Sequence, residues 1–527
     1  MCEITDHSMD RKLIVDSQDG LSPVPATPRL SKSKFLSGLQ CHKRLYLEIY
    51  QPALATPPDA STQAILDMGT EIGVLAQQRF PGGVLVKAGF RQREAAVAET
   101  AGLLQDSTIP AIFEGAFEHD GVLVRVDILE RVKTGSMGSP SWRLIEVKSS
   151  TRVKDVHLDD LSIQSLIVQG AGVTLEGTCL MHINTGYHYD GGTVDLQALF
   201  SVENVSEAVT ARRMLVPERL AAMKAMLAES QIPAIEPDQH CHSPYECPFW
   251  AYCTKDKPER WIYHLPGKKE LVSRLVRQGV MMIDDIPAGT QLTDAQQKVK
   301  NNVEWVSSEL GPLLRSLSYP IHHLDAETVM LAVPRFPSTR PYQALPVQWS
   351  NHIELESGEV LHQEFLHTEA SEPRKRWAEA LIESLGNSGS ILVYSAYEAG
   401  LIRQLADTFP EFKSAFREIG KRLWDLLPVI KDHYYHPAFQ GSYSIKSVLP
   451  AVVPSLGYGD LTIQEGGHAA AEYYRMVFVE TDWVEREAIR EALLRYCARD
   501  TLAMVELRRV LGGKAERHGE GHMMGVT

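Results

Sequence analysis

Apolar residues recur at every second position through GVLVRVDILE (residues 121–130), where Val122, Val124, Val126 and Ile128 share one side, and the alternation resumes in WRLIEVKSS (142–150). A period of two marks strands, and the Gly/Ser-rich TGSMGSPS between them marks the connection of a hairpin. On either side, MGTEIGVLAQQRF (68–80) and VHLDDLSIQSLIVQ (156–169) space their apolar residues three and four apart, as helices do. Residues 31–260 therefore read as a mixed α/β domain. KKELVSRLVRQGVMMIDDIPAGTQLTDAQQKVKNNVEW (268–305) predicts helices about a tight turn at Gly279 and falls in a helical linker, 261–312. That turn could form a helix-hairpin-helix-like element whose amides meet phosphate, or a plain connector. A strand over IHHLDAETVML (321–331) opens a second α/β run, 313–512. Within it ILVYSAYEAGLIRQLA (391–406) predicts a buried strand running into a helix, and EREAIREALLRYCARDTLAMVELRRVL (485–511) a closing helix. Residues 1–30, where DSQDGLSPVPATP has no period, read as a disordered lead-in and 513–527 as a tail.

The chain has 527 residues, more than one core usually supports, so two or three domains are expected. No apolar run is long enough to span a bilayer and no secretory segment opens the chain, which predicts a cytoplasmic protein without a membrane partner. A net charge of −14 argues against a protein that passively coats nucleic acid. It does not argue against a site of clustered carboxylates that draws phosphate through bound cations. Three of the seven cysteines fall in CHSPYECPFWAYC, at Cys241, Cys247 and Cys253, and in a reducing compartment such a group suits metal better than disulfides. No spacing ties Cys2, Cys179 or Cys497 to them.

Strand alternation puts Glu146 and Lys148 on one face, and the hairpin can bring Asp127 beside them. Two carboxylates could hold magnesium or manganese, while the ammonium steadies the charge that develops when a phosphodiester is hydrolysed. The plain alternative is a solvated strand with a cross-strand ion pair. The set resembles the PD-(D/E)XK motif of RecB-family nucleases, including CRISPR-associated exonucleases of that type, and so implies a restriction-endonuclease-like domain. By the same resemblance MGTEIGVLAQQRF supplies a metal-side residue at Glu71, where many members carry histidine, and VHLDDLSIQSLIVQ supplies the family's glutamine at Gln164. Val168 stands where the family carries tyrosine.

Several RecB-like nucleases join one early cysteine to three late ones around an iron–sulfur cluster, and here Cys41 in GLQCHKRLYL precedes Cys241, Cys247 and Cys253. The resemblance implies a [4Fe–4S] cluster on these four thiolates. Structural zinc on the same four, and four ordinary buried cysteines, are the alternatives. His240 and His242 read as bystanders.

In HLDAETVML, Asp325 and Glu327 share one strand face and could hold a metal pair. In RYCARDT, Tyr496 and Asp500 share a helical face, where the aspartate can add a ligand and the phenol can orient water. With Glu398 after the intervening strand, the series resembles the D-x-E, acid and Y-x3-D motifs of DnaQ-like 3′–5′ exonucleases, which have an RNase H-like fold. The resemblance implies metal ligation by Asp325, Glu327, Glu398 and Asp500 and water orientation by Tyr496; Glu398 stands where aspartate is usual. In LWDLLPVIKDHYYHPAFQGSYSIKSVLP, Asp425, Tyr443 and Lys446 could face substrate, Tyr443 or His436 could stack on bases, and Tyr434 and Tyr435 read as core. The segment resembles one in an uncharacterised bacterial family that joins a RecB-like nuclease to a DnaQ-like domain.

The expectation is an α/β protein with an N-terminal PD-(D/E)XK domain, a helical linker and a C-terminal RNase H-like (DnaQ-type) domain. It would be a nuclease dependent on magnesium or manganese, acting on nucleic acid, with DNA favoured over RNA. The rival is a nucleic-acid-binding adaptor in which one or both sites are inactive and an iron–sulfur cluster is structural.

Overall fold

The computed structural model of the chain describes residues 28–89, 91–132, 140–267, 269–479 and 481–523. Two mixed sheets dominate. The first contains β1 (Leu30–Ser31), β2 (Val84–Leu85), β3 (Ala111–His119), β4 (Val122–Val132), β5 (Ser141–Lys148), β6 (Leu175–Ile183) and β7 (Phe200–Asn204). Its order is β2-β3-β4-β5-β6-β7, with β1 also beside β4. β3 and β4 pair antiparallel across Asp120 and Gly121, both at positive φ (47° and 70°), as a two-residue turn that matches strand twist requires. β5 pairs antiparallel with β4, and β6 parallel with β5.

Five helices of this region matter for the site: α1 (Lys32–Gln40), α2 (His42–Tyr50), α3 (Ala60–Gln77), α4 (Arg93–Gln105) and α5 (Asp155–Gly170). α5 makes the crossover that a parallel β5–β6 pair needs. The alternation of the strands sends Val124, Val126 and Leu144 toward Leu161, Ile163 and Ile167 of α5. Ile145 and Met181 point the other way, toward Ile72 and Ala76 of α3; Ile128 joins them because the alternation of β4 slips by one after Val126, so that Ile128 does not share the side of Val122, Val124 and Val126 as its spacing predicts. Helices thus cover both faces, as a buried mixed sheet demands.

β8 (Trp305–Val306) pairs with β14 (Tyr434–Tyr435) in a short ribbon. The second sheet has β9 (Ile321–Met330), β10 (Ala344–Glu354), β11 (Val360–Leu366), β12 (Ile391–Val393) and β13 (Leu423–Asp425), in the order β11-β10-β9-β12-β13. β9, β10 and β11 are antiparallel, and β12 and β13 add parallel to β9. α6 (Tyr397–Thr408) follows β12, and α7 (Gly466–Phe478) and α8 (Trp483–Met523) close the chain. α8 lies on β10, where Gln348 donates to the Leu493 carbonyl at 2.8 Å and Ser350 meets Thr501 at 2.8 Å.

Three expectations of organisation are corrected. Residues 261–312 are not a separate unit, because Trp261, Ile262, Val299 and Leu310 belong to one buried core with Leu426, Tyr434, Leu493 and Leu511. After the helix Lys269–Arg277 and the turn at Gly279 (φ 82°), no second helix begins until Asp294, so the stretch is not a helix-hairpin-helix. The tail read at 513–527 is helical as far as Met523; Lys514 reaches Glu304 at 2.6 Å and Ala515 packs on the core. The lead-in at 1–30 lies outside the described residues up to 27, and Leu30–Ser31 is a strand. The loop at 133–139 also lies outside them.

The β9–β10 connection joins the two sheets' regions. Ala332 is buried in the first region's core, Tyr342 donates to the Ser149 carbonyl at 2.5 Å, and Tyr189 bridges to Thr339. Among the described residues no helix is long and apolar enough to cross a membrane.

Candidate functional site

Asp325 and Glu327 stand two apart on the central strand of the second sheet, so both emerge on the same face. α8 crosses that face and brings Asp500 to them. Oxygens of Asp325, Glu327 and Asp500 lie within 4.8 Å of one another, the one such set of three potential ligand atoms found among the described residues. They line a cleft of about 390 Å³ together with Glu398, Tyr496 and Gly466.

Acid crowding dominates the electrostatics here. Burial, then the charges of Asp500 and Glu327, push Asp325 well above the usual carboxylate range. Burial and Asp500 push Glu327 up to about 8, and burial with Asp425 pushes Glu398 up to about 7. Burial also raises Asp500, against the donated hydrogen bonds of Tyr458 and Tyr496. Lys446 and Arg499 are the cations that act on Asp500, Lys446 lying 5.3 Å over the Tyr496 ring and 5.5 Å over that of Tyr458. Cys497, buried in α8, donates to Asp325 Oδ2 at 3.5 Å. An oxygen-only set of this charge fits a hard divalent cation such as magnesium or manganese.

Glu398, at the start of α6, lines the cleft with a buried Oε2 that has no hydrogen-bond partner among the described residues, but it stands outside the close trio. Asp425 accepts from the Leu427 amide at 2.9 Å and so caps the helix that follows β13. Tyr443 packs edge-on to Phe439, and His436 accepts from the Ala438 amide at 3.2 Å, so both serve the local fold. Tyr434 and Tyr435 are core residues.

The first set sits where the edge of β4 away from β3 is unpaired. β1 pairs with β4 only at Val122 and Leu123, and β5 pairs only from Ile128 onward. Asp127 lies in the gap, and its Oδ2 accepts from the Val147 amide at 2.7 Å. Lys148 donates to Glu146 at 2.6 Å and to Asp160 at 2.8 Å; Gln164 donates to Glu146 at 2.7 Å and to Asp160 at 2.9 Å. Asp127, Glu146, Lys148 and Gln164 are therefore gathered.

Two members were not foreseen. Asp160 is one turn before Gln164 on α5, a spacing that could have identified it. Lys32 is the first residue of α1, which Ser31 caps, and its Nζ reaches both oxygens of Glu146, at 3.0 and 3.1 Å. It also lies 3.9 Å from Asp127 and 4.0 Å from Asp160. Burial would raise Glu146, but Lys148 and Lys32 outweigh it and hold that carboxyl well below its usual range. Burial and the charge of Glu146 push Asp127 up to about 7. A metal ion joining Asp127 and Glu146 would have to share Glu146 with Lys32.

Glu71 does not belong to this set. Its carboxylate accepts from the Tyr474 hydroxyl at 3.0 and 3.1 Å and faces Arg335 at 3.6 Å. Packing of α3 against α7 diverts it to the contact between the regions, which corrects its reading as a ligand.

Cys41 ends α1, and Cys241, Cys247 and Cys253 follow one another on a loop. Gln40 staples the two segments, donating to the His240 and Tyr245 carbonyls at 2.6 and 2.7 Å. Burial, and behind it the charges the other three thiols would carry, push Cys241 up to about 11. No three ligand atoms of these cysteines lie within 4.8 Å of one another. A tetrahedral zinc–thiolate site needs about 3.8 Å between sulfurs, given its metal–sulfur bond length.

A family model described as "Domain of unknown function (DUF2779)" matches residues 322–444. The match takes in Asp325, Glu327 and Glu398 and ends before Tyr496 and Asp500. No curated protein matches the chain.

Proposed function

We propose that this chain is a metal-dependent nuclease that hydrolyses phosphodiesters of nucleic acid, DNA in preference to RNA, with exonucleolytic action at the second site. The observation that carries the reading is the close trio Asp325, Glu327 and Asp500 in an open cleft, where buried acids repel one another and await cations. Magnesium or manganese bound there would supply the charge that draws a phosphodiester and activates water. Asp325, Glu327 and Asp500 would hold it, and Tyr496 would orient the attacking water from the cleft wall. The sheet order, with three antiparallel strands followed by two parallel ones, supports an RNase H-like fold for this region.

The first region's α4–β3–β4–β5–α5–β6 series, with Asp127, Glu146 and Lys148 at the β4–β5 gap, supports a PD-(D/E)XK domain. One observation favours a second reading for this site alone, in which it binds and does not cleave: Lys32 already neutralises Glu146. Incubating the pure chain with end-labelled single- and double-stranded DNA and RNA, with manganese or chelator, tests the proposal. Manganese-dependent release of labelled nucleotides is expected; no cleavage of any substrate would overturn it.

For the four cysteines we favour a [4Fe–4S] cluster over zinc, on their pattern of one early and three late thiols without a close C-x2-4-C pair. Anaerobically purified protein is expected to be brown and to contain iron and sulfide, and Cys247→Ala to bleach it. Stoichiometric zinc without iron would contradict this assignment.

A further inference from the structure

α6 and the helix Lys413–Arg422 lie side by side, joined by the short turn Pro410–Phe412. Ala399, Ile402, Arg403 and Ala406 of α6 face Lys413, Phe416, Arg417 and Gly420 of the second helix. Both stripes run i, i+3, i+4, i+7, one side of a helix each. They enclose a groove of about 370 Å³ closed at its base by Leu423. Ile402 and Phe416, which line it, are buried.

Arg403, Lys413 and Arg417 stand exposed along this groove, and none has a hydrogen-bond or ion-pair partner among the described residues. The cations that end the same helix are used differently. Lys421 pairs with Glu418 at 2.8 Å, and Arg422 donates to backbone carbonyls including Gly389 at 2.7 Å and Leu385 at 2.8 Å. One acid, Asp407, also lines the groove. In a chain of net charge −14, three cations without a protein partner on one concave strip form a local positive site that suits an anion.

Cleft and groove share the N-terminal turn of α6: Glu398 lines the cleft and the next residue, Ala399, about 100° further round the helix, lines the groove. Five residues of helix, about 7.5 Å of rise, separate Glu398 from Arg403. We infer that this groove holds the phosphate backbone of a single nucleic-acid strand whose end occupies the acidic cleft. The inference rests on the nuclease reading and adds the path of the strand. Because Ile402 and Phe416 are buried, no base stacks there, and the contact is with backbone charge, independent of sequence.

The test is the salt dependence of binding. The full chain is titrated, in chelator, against a fluorescein-labelled single-stranded DNA and read by anisotropy across a salt series. The triple variant Arg403→Ala, Lys413→Ala, Arg417→Ala is expected to lose affinity by about a hundredfold near 0.1 M salt. The slope of log K against log salt should become shallower by about 2, the loss of three single-strand phosphate contacts. Charge-preserving Arg403→Lys, Lys413→Arg, Arg417→Lys should keep the slope, as should Lys375→Ala, which removes a neighbouring exposed lysine already paired with Glu411. An unchanged slope in the alanine variant of a chain that still cleaves DNA overturns the groove and leaves the nuclease reading intact. Absence of cleavage by the unaltered chain overturns the reading on which the groove rests.

Discussion

At Asp500 two phenol hydroxyls converge on a carboxylate that burial already pushes toward its protonated form. A hydrogen bond donated to the ionised form favours that form, so each phenol keeps Asp500 ready to accept a cation. Tyr458→Phe removes one donor without changing side-chain volume much, and should weaken manganese binding by about 10- to 100-fold, as loss of a ligand's own partner does. A manganese titration read by electron paramagnetic resonance checks this; an unchanged affinity would show that Tyr458 only packs. Tyr496 and Asp500 were legible in the sequence because four residues make one helical turn, and Asp325 and Glu327 because two make one strand repeat. Tyr458 is 42 residues from Asp500 and Lys32 is 114 from Glu146, so only packing brings them in and no local period could show it.

Between β9 and β10 the sheet carries the buried His322 and the half-buried His352. Burial, then the charge of Arg422, hold His322 down to about 4, and burial with the stacked His362 holds His352 down to about 4. Both are neutral in the folded chain and take up protons more readily when unfolded. Their contribution is therefore fully present above pH 6.5 and is lost as pH falls from there toward 4. Below pH 6.5 the two histidines should lower the melting temperature, against the opposite trend of the raised carboxyls Glu327, Glu398 and Asp127, each histidine accounting for on the order of 2 kcal/mol by pH 4. His352→Gln should flatten part of that fall, and an identical pH slope in this variant would contradict the assignment. The longer elements were legible from their periods: the 121–150 hairpin, the strand of Asp325 and the helix of Asp500. Two-residue strands such as β1 and β2 carry no period. The end of α8 was missed because Gly512 and Gly513 disfavour a helix by about 1 kcal/mol each, a cost that the packing of Ala515 and the Lys514–Glu304 pair overrides.

The described residues form two large sheets and a short ribbon but not three independent units. A chain beginning at residue 313 lacks Trp261, Ile262, Val299 and Leu310, each 3% exposed or less, whose burial is worth roughly 6 kcal/mol or more. That is comparable to the total stability of a typical domain, so residues 313–527 should show no cooperative melt, whereas 258–527 should keep one. Circular dichroism on the two fragments decides it, and a cooperative melt of the shorter one would contradict a shared core. Pattern alone suggested a boundary near 312 because helices in a linker and helices in a core have the same period. The two acid sets nevertheless draw on different strands, and each should fail alone. The most direct test compares Asp325→Ala with Lys148→Ala, both confirmed folded, on a 3′-end-labelled single-stranded DNA with manganese. The account predicts that Asp325→Ala loses release of labelled mononucleotides while Lys148→Ala retains it; release by Asp325→Ala at the rate of the unaltered chain would contradict it.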